Sequence, residues 1–565
     1  MGATQSKSSS CVLETSKGKL RGIEQTNLNG KPILRRFLKI PYALPPVGNL
    51  RFRRPQPLSS DFSFSAKSGE AGDYTSFGSI CPQPVYNHGA ALIENENDAP
   101  EIENTQAEDC LYLNIWVPAG DKPAKGWPVQ FFIHGGWLQI GDANQSNDYD
   151  PFDLLASSTP RIIVAPTYRL NIFGFLAGKE LAQSESGDPA AGNYGLWDQR
   201  AALEWVHSNI THFGGNPDLI TVGGLSAGAH SAFLQLYHDT YLPNGKQLIK
   251  QVFQWSNAIA IQPNGSKSQI LTDQYNELCA AAGVTHAKDK LAALRDLPAE
   301  HLVSTISKLK MHTFRTSTDN DFVPSNFLET IHDGSFTALL AEHKVRILLG
   351  ECSDEAELYK LVNPPTSQDG LIRQLGNYYP KTVVDKLLTL NEIYDIPSSS
   401  DDVDSDKTKD RYKDTFARMV ADLQVHASIR GLTKALVAPA NGSKDVPEVM
   451  RYRIAWRAKA LDQHLKPEVG VCHAADAPIW WLSGYRAGYD EGDKAIVAEF
   501  LKPFGEFLEG KAWVGGVGKG VDGAKRIGRL LDREGKTHED VEDEMWEKSM
   551  RVWSAAADAQ GIKSA

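Results

Sequence analysis

The chain is poor in cysteine, with only six in 565 residues. A chain of this length can bury a sizeable core without cross-links, so six cysteines exclude a small disulfide-rich scaffold. The sequence also lacks any run of 18 apolar residues, which excludes a membrane-spanning helix. Basic residues are in the minority, with 59 Lys and Arg against 70 Asp and Glu. The resulting net charge of −11 argues against a nucleic-acid-binding protein.

The N-terminal segment lacks the apolar core of a secretory signal, so we expect an intracellular, cytoplasmic protein. Its first residues fit the pattern for N-myristoylation at Gly2. One acyl chain binds a membrane only weakly, and a palmitoylated Cys11 would add a second anchor for peripheral association. A disordered serine-rich tail is the alternative. We therefore predict a flexible tail over residues 1–17 and a single domain over residues 18–565, and no motif indicates an oligomeric state.

Short apolar segments alternate along the chain with segments of helical spacing. Residues 129–133 and 345–349 are uniformly apolar, which is typical of strands buried on both faces of a parallel sheet. Apolar residues at helical spacing predict an amphipathic helix over residues 198–213. The alternation predicts an α/β fold with a doubly wound, mostly parallel sheet and helices on both faces. After about residue 270 we expect helical insertions, and from about residue 490 to the end a helical segment with a glycine-rich interruption.

The most informative stretch is Gly224-Leu225-Ser226-Ala227-Gly228, which lies between an apolar segment and a helical one. A strand, a tight glycine turn and a helix are the context of a nucleophile elbow, which presents a serine hydroxyl at a helix N-terminus. A glycine pair, Gly135-Gly136, follows the predicted strand at 129–133. Its backbone N–H groups, together with that of Ala227, could hold an oxyanion, and an ordinary strand-to-loop turn is the alternative.

A serine nucleophile needs a base, and the base needs an orienting acid. His473 lies in a turn of small residues after a predicted strand, although spacing alone leaves His426 and His464 open. Loops at the carboxyl ends of strands are where α/β proteins build their sites. The loop after the predicted strand at 345–349 carries four candidate acids: Glu351, Asp354, Glu355 and Glu357.

Three further blocks, at residues 108–114, 193–199 and 213–217, read EDCLYLN, NYGLWDQ and FGGNP. With these blocks the chain resembles the type-B carboxylesterase/cholinesterase family of α/β hydrolases, from about Gly18 to at least residue 510. The resemblance implies an α/β-hydrolase fold with a large, mostly parallel, twisted sheet. It also implies hydrolysis of a small-molecule ester that needs neither a metal nor a cofactor.

Carried over position by position, the resemblance makes Ser226 the nucleophile, Glu355 the acid and His473 the base. It assigns the oxyanion N–H groups to Gly136, Trp137 and Ala227. Ser256 resembles a serine that helps to hold the acid. Asp476 stands where many relatives carry a glutamate near the histidine, with a loop-capping carboxylate as the alternative.

Cys81 and Cys110 align with a family disulfide, whereas the missing secretory signal indicates a reducing compartment. We therefore expect the two cysteines to lie close together, with either redox state open. Cys472, beside His473, is a further candidate nucleophile, although a small buried hydrophobic residue is the better interpretation.

The chain departs from the family pattern at positions that bear on the substrate. Trp137 replaces a third glycine; its N–H can still donate if its φ is negative, and its indole is expected in the wall of the acyl pocket. Leu225 stands where cholinesterases carry an acid, and the loop between Cys81 and Cys110 lacks their choline-binding tryptophan. We therefore predict neutral, fairly apolar esters. The alternatives are acyl transfer or lactone opening by the same triad, or a non-catalytic binding protein of the same fold.

Overall fold

The computed structural model describes residues 6–84, 105–144, 149–183, 192–362, 364–398, 405–463, 465–483, 488–511 and 516–562. Within these residues thirteen strands, numbered β1 to β13 in chain order, join one sheet. Their bounds are Ser6–Thr15, Gly18–Asn27, Pro32–Pro41, Gly72–Asp73, Tyr112–Pro118, Trp127–Ile133, Ile162–Pro166, Gly215–Leu225, Gln251–Trp255, Arg346–Cys352, Glu448–Ile454, Arg526–Leu531 and Thr537–Glu542. The spatial order is β1-β2-β3-β5-β7-β6-β8-β9-β10-β11-β12-β13, and β4 pairs with β2.

The centre of the sheet is parallel, from β7 through β6, β8, β9, β10 and β11 to β12. The strands at both ends pair antiparallel. Neighbouring residues of the central strands enter different cores: Phe131 and Ile347 pack on one face, and Phe132 and Leu348 on the other. The predicted sheet, buried on both faces beneath helices, is thereby confirmed.

Helices cover the sheet and build a separate layer after residue 260. The α-helices run over Phe152–Ser157, Asn171–Phe175, Lys179–Gln183, Tyr194–Asn209, Ala227–Thr240, Gln269–Ala281, Lys290–Asp296, Ala299–Ile306, Phe327–His332, Ser335–Glu342, Ala356–Leu361, Gln368–Gly376, Lys381–Leu387, Asn391–Tyr394, Asp406–Ala421, Ala427–Val437, Ala477–Trp480, Glu491–Leu508, Gly520–Ala524 and Trp546–Ala559. A π-helical turn, Asp422–His426, joins two of them. None of the helices described is both long and apolar enough to cross a membrane.

The predicted helix over 198–213 is confirmed, although it begins earlier, at Tyr194. A 3₁₀ turn continues it from Ile210 to Phe213. It stops at Gly214, whose φ of 83° is a left-handed conformation that glycine adopts without strain. The first turn of the helix was not predicted because its residues come before the apolar residues that repeat at helical spacing.

The predicted flexible tail is wrong for residues 6–15. They form β1, which pairs antiparallel with β2 over its whole length, with Leu13 opposite the buried Leu20. The strand was not predicted because the segment is rich in serine and few of its side chains are apolar. Cys11 is half-buried in β1, and burial raises the pKa of its thiol. Gly2 lies outside the described residues, so its myristoylation stays a prediction.

The C-terminal segment is less helical than expected. The helices Glu491–Leu508 and Trp546–Ala559 are present, but β12 and β13 lie between them and extend the sheet. β13 consists mostly of exposed polar and charged residues, so the sequence shows no alternation of apolar and polar residues there. Pairing with β12, rather than its own pattern, makes it a strand.

Candidate active site

Ser226 occupies a sharp turn between the end of β8 and the helix Ala227–Thr240. Its backbone has φ 58° and ψ −125°, a strained conformation for a residue with a side chain. Its N–H donates to the carbonyl of Trp255, on β9, over 2.8 Å. The flanking glycines are required sterically, because a Cβ on Gly224 or Gly228 would lie 2.3 or 2.0 Å from the carbonyl oxygen of Ile133.

The glycine pair after β6 is pressed against this turn. A Cβ on Gly135 would lie 2.8 Å from the Leu225 carbonyl oxygen and 3.1 Å from Ser226 Cβ. Gly136 has φ 106°, and its carbonyl accepts hydrogen bonds from the N–H groups of Gln139 and Ile140. The loop therefore lies next to the candidate nucleophile and is held by a tight turn.

The side chain of Gln139 fixes this loop to the helical layer. It donates to the carbonyls of Trp137 and Phe314 and accepts from the Phe314 N–H over 3.0 Å. Trp137 has φ 56°, so the negative φ that would let its N–H donate is not observed. The tight turn places both Trp137 and Leu138 in the left-handed region. The indole lines the same pocket as Ser226.

Glu355 and His473 form a buried pair. The two side chains meet at 2.6 Å between Glu355 Oε2 and His473 Nδ1, and Glu355 Oε1 accepts from the Cys352 N–H over 2.8 Å. Glu355 is fully buried, and His473 is 5% exposed. Within the described residues His473 Nε2 is buried without a hydrogen-bond partner. An ionised Glu355 fixes the proton on Nδ1 and leaves Nε2 as an acceptor that can receive a proton.

Neighbouring parallel strands bring these elements to one edge of the sheet. Ser226 follows β8 and Glu355 follows β10, while β9 lies between them. The loop that carries His473 docks onto the end of β10, where the N–H of Val471 donates to Asp354 Oδ2 and the N–H of Asp354 donates to the Val471 carbonyl. The carboxyl ends of the strands thus supply all three predicted triad residues.

Of the four candidate acids, Glu355 is the one that contacts His473 among the described residues. Asp354 binds the Val471 N–H and pairs with Arg533 over 3.0 Å. Glu357 pairs with Lys360 at the partly exposed start of the following helix. The acid that the family resemblance selected is therefore also the one that the geometry favours.

The Ser256 hydroxyl contacts Cys352, the residue whose N–H binds the acid. It has φ 52°, its N–H donates to the Gly350 carbonyl, and its hydroxyl donates to Cys352 Sγ over 3.9 Å. Cys352 in turn donates its own N–H to Glu355. Any support that Ser256 gives to the acid is therefore indirect and passes through Cys352.

Asp476 lies close to the Glu355–His473 pair. It is fully buried, and its Oδ2 accepts a hydrogen bond from Trp480 Nε1 over 2.7 Å. Burial raises the pKa of Asp476 to about 6, with Glu355 raising it further and His473 opposing the rise. Asp476 is the N-cap residue of the helix Ala477–Trp480, and its carboxylate makes no capping hydrogen bond to the backbone of that helix.

A second histidine–glutamate pair, which the sequence did not reveal, joins His426 Nδ1 to Glu351 Oε2 over 2.7 Å. Arg430 and Arg453 also bind Glu351, and both arginines continue to Asp543. Burial alone would raise the pKa of Glu351, but the two arginines outweigh it, and the pKa lies well below its usual value. The alternative base His426 therefore belongs to a buried ion network, and His464 lies outside the described residues.

Replacing Glu351 by alanine should destabilise the protein by about 3–5 kcal/mol, because Arg430 and Arg453 would lose a buried counter-charge. Urea unfolding followed by fluorescence measures the change. Glu357→Ala is the matched control, with an expected cost below about 1 kcal/mol, because its pair with Lys360 is partly exposed. Equal costs for the two variants would show that the network around Glu351 adds no particular stability.

A pocket of about 120 Å³ opens beside Ser226. One wall is the stretch 258–261, which reads AIAI, and another carries Trp137 and Leu138. Arg315 also lines it, whereas no Asp or Glu is found among the described lining residues. The pocket can therefore hold an apolar group and offers no carboxylate to a cation.

The remaining cysteines of interest are buried. Cys81 and Cys110 are unbridged thiols, and the adjacent Cys81 together with burial holds the pKa of Cys110 well above its usual value. The expected proximity is thus observed. Burial raises the pKa of Cys472 to about 12, and its thiol donates to the His473 carbonyl. Because a thiolate is the reactive form, this argues against Cys472 as the nucleophile.

Comparison with known proteins supports an esterase. A sequence model of the carboxylesterase family matches residues 9–511. The chain is 40% identical over 551 residues to an uncharacterized esterase/lipase of Schizosaccharomyces pombe, covering 96% of each chain. It is 37% identical over 547 residues to a carboxylic ester hydrolase of Gibberella moniliformis, covering 95% of this chain and 94% of the relative. A para-nitrobenzyl esterase of Bacillus subtilis is 28% identical over 516 residues, covering 89% and 88%.

Proposed function

Since the chain belongs to the carboxylesterase family and is a carboxylic ester hydrolase, we propose that it cleaves esters through an acyl-enzyme on Ser226. The observation that carries this proposal is the Glu355–His473 pair, whose Nε2 is buried without a hydrogen-bond partner among the described residues. A buried base that is already oriented by an acid, next to a serine on a strained turn, is the arrangement that activates a hydroxyl.

In the first half of the reaction, His473 Nε2 takes the proton of Ser226 Oγ as that oxygen attacks the acyl carbon. Glu355 stabilises the imidazolium that forms, and the N–H groups of Ala227 and Gly136 hold the oxyanion, while the φ of 56° at Trp137 argues against its N–H as the third predicted donor. The C–O bond of the ester breaks, and the alcohol leaves with the proton from Nε2. In the second half His473 removes a proton from water, which attacks the acyl carbon. The bond between the acyl carbon and Ser226 Oγ then breaks, and His473 returns the proton to Oγ as the acid leaves.

A small aryl phosphonate tests the nucleophile directly. We expect one phosphonyl group per chain, attached to Ser226, with loss of esterase activity in proportion to labelling. Peptide mapping by mass spectrometry locates the label. Stoichiometric labelling of Cys472 or of another serine, with Ser226 unmodified, would contradict the proposed mechanism.

The proposed substrates are esters that are neutral and fairly apolar around the scissile bond. The apolar wall at 258–261 and the lack of a carboxylate among the described lining residues support this proposal. The space of about 120 Å³ favours short acyl chains over long ones. We therefore expect p-nitrophenyl esters from acetate to hexanoate to be better substrates than decanoate.

Replacing Trp137 by glycine should move the optimal acyl chain to longer esters. The change removes an indole from the pocket wall and relieves a left-handed φ of 56°. Each additional buried methylene is worth about 0.8 kcal/mol, so kcat/KM for octanoate should rise about tenfold or more. The measurement is a ladder of p-nitrophenyl esters from acetate to decanoate.

Trp137→Phe is the matched control for this ladder, because it keeps an aromatic ring at the same backbone position. Its optimum should stay within about one methylene of the unsubstituted protein's. If Trp137→Gly, Trp137→Phe and the unsubstituted protein share one optimum, Trp137 does not limit the acyl chain.

A further inference from the structure

Arg315 is the one permanently charged side chain among the described residues that line the pocket beside Ser226. Its Nε donates to the Asn377 carbonyl over 2.9 Å, and its guanidinium lies 4.4 Å from the centre of the Tyr378 ring. Its terminal nitrogens donate to none of the described residues, and Nη2 is buried. Part of the donor capacity of this side chain is therefore unused at the pocket wall.

Several buried arginines of this protein are paired with carboxylates, although Arg161 is buried without one among the described residues. Arg169 binds Asp198 over 2.7 Å, and Arg200 binds Asp239 over 2.7 Å. Arg315, by contrast, forms no ion pair with any described Asp or Glu, and burial lowers its pKa. Arg315 is partly exposed and has no described counter-charge, so an anion that enters the pocket gains a charged hydrogen-bond partner there.

Among the described residues that line the pocket, His230 is the other side chain that could carry a charge near Ser226. His230, one helical turn after Ser226, contacts the neighbouring Thr316 at 3.2 Å between Nε2 and Oγ1. Burial, helped by the charge of Arg315, lowers the pKa of His230 to about 4, so the ring is neutral at neutral pH. The pocket that Ser226 and Arg315 both line therefore carries one permanent cation and no carboxylate among its described lining residues.

We propose that Arg315 binds a carboxylate carried by the substrate, remote from the scissile bond. This proposal rests on the proposed serine mechanism and adds a substrate class to the neutral esters: half-esters of dicarboxylic acids, or acyl esters of hydroxy acids. The stack on Tyr378 and the bond to Asn377 hold the planar guanidinium in place, so little side-chain freedom is lost when the carboxylate binds. The two carboxylate oxygens accept hydrogen bonds from the terminal N–H groups of Arg315.

The first test compares a half-ester with its neutral diester. Monomethyl and dimethyl adipate differ by one methyl group and one charge, and methanol release gives kcat/KM for each. We expect the half-ester to exceed the diester by about tenfold, chiefly through a lower KM. Monomethyl esters from glutarate to suberate identify the best length, and 6-acetoxyhexanoate against its methyl ester tests a carboxylate on the alcohol side.

The second test removes the cation. In Arg315→Met the ratio of half-ester to diester kcat/KM should fall about 10- to 100-fold, and Arg315→Lys should retain part of it. Because both substrates are measured on one preparation, the ratio is independent of the folded fraction. Arg418→Met is the matched control, since Arg418 also lies over a tyrosine ring, that of Tyr394, but does not line the pocket. Its ratio should equal that of the unsubstituted protein.

If Arg315→Met does not fold, the salt dependence of KM in the unsubstituted protein still tests the carboxylate site. Raising the ionic strength should raise KM for the half-ester and leave KM for the diester unchanged. A ratio of one or below on both the acyl and alcohol sides, unaffected by salt, would overturn the carboxylate site. Ser226→Ala measured on the diester tests the serine mechanism separately, so failure of one proposal does not imply failure of the other.

Discussion

Replacing Ser226 by alanine is expected to lower kcat for p-nitrophenyl butyrate by about 10⁶-fold. The reason is that the proposed covalent step has no other nucleophile: Ser226 occupies the strained turn, with Gly135 and the start of the following helix packed around it. Because the substitution removes a single oxygen from a small side chain, the fold should persist. Steady-state kinetics together with circular dichroism measure both effects.

Cys472→Ala is the control for this experiment. The Cys472 thiol is buried, with a pKa of about 12, and it points its hydrogen at a backbone carbonyl. We expect kcat within about threefold of the unsubstituted enzyme. A large loss in Cys472→Ala with substantial activity left in Ser226→Ala would assign the nucleophile to the thiol instead.

The second large effect is expected for Glu355→Gln, with a loss of about 10⁴-fold in kcat and little change in KM. The amide can still accept the Cys352 N–H at one atom, so the loop keeps its anchor. Its NH₂ group, however, would face His473 Nδ1 and favour the tautomer that carries the proton on Nε2. That tautomer cannot accept the serine proton, and the imidazolium also loses its counter-charge.

Glu357→Gln tests whether this loss is specific. Glu357 belongs to the same acidic stretch, but it pairs with Lys360 and does not contact His473. Its kcat should stay within about twofold of that of the unsubstituted enzyme, and thermal unfolding should show that both variants are folded. A comparable loss of activity in the two variants would indicate a disturbed loop rather than a lost acid.

The structure also bears on two features at the N-terminus and the first glycine loop. β1 was concealed by its serines, yet it pairs with β2 along ten residues because backbone hydrogen bonds do not depend on side-chain polarity. Trp137 was expected to need a negative φ, but the turn closed by Gln139 and Ile140 forces it into the left-handed region. In both places, hydrogen bonds to other residues determined the backbone conformation, and the local sequence pattern did not reveal them.

The sequence by itself determined the elbow around Ser226 and the buried central strands, because both depend on short-range requirements. Glycines must flank a turn where an added Cβ would lie only 2.3 or 2.0 Å from a carbonyl oxygen, and uniformly apolar segments must be buried on both faces. The choice of Glu355 came from the family resemblance, since spacing alone left four acids equivalent.

Only the tertiary structure decided the partners of charged groups. In the structure His426 and two arginines bind Glu351, and the Ser256 hydroxyl donates to Cys352. Arg315 lies at the pocket wall without an ion-pair partner among the described residues. The contacts of His426, Ser256 and Arg453 join residues 75 to 102 positions apart in the sequence. The case of Arg315 depends on the absence of a nearby carboxylate among the described residues. Side-chain pairing in a buried site is fixed by three-dimensional distance and desolvation, and neither is encoded in local periodicity.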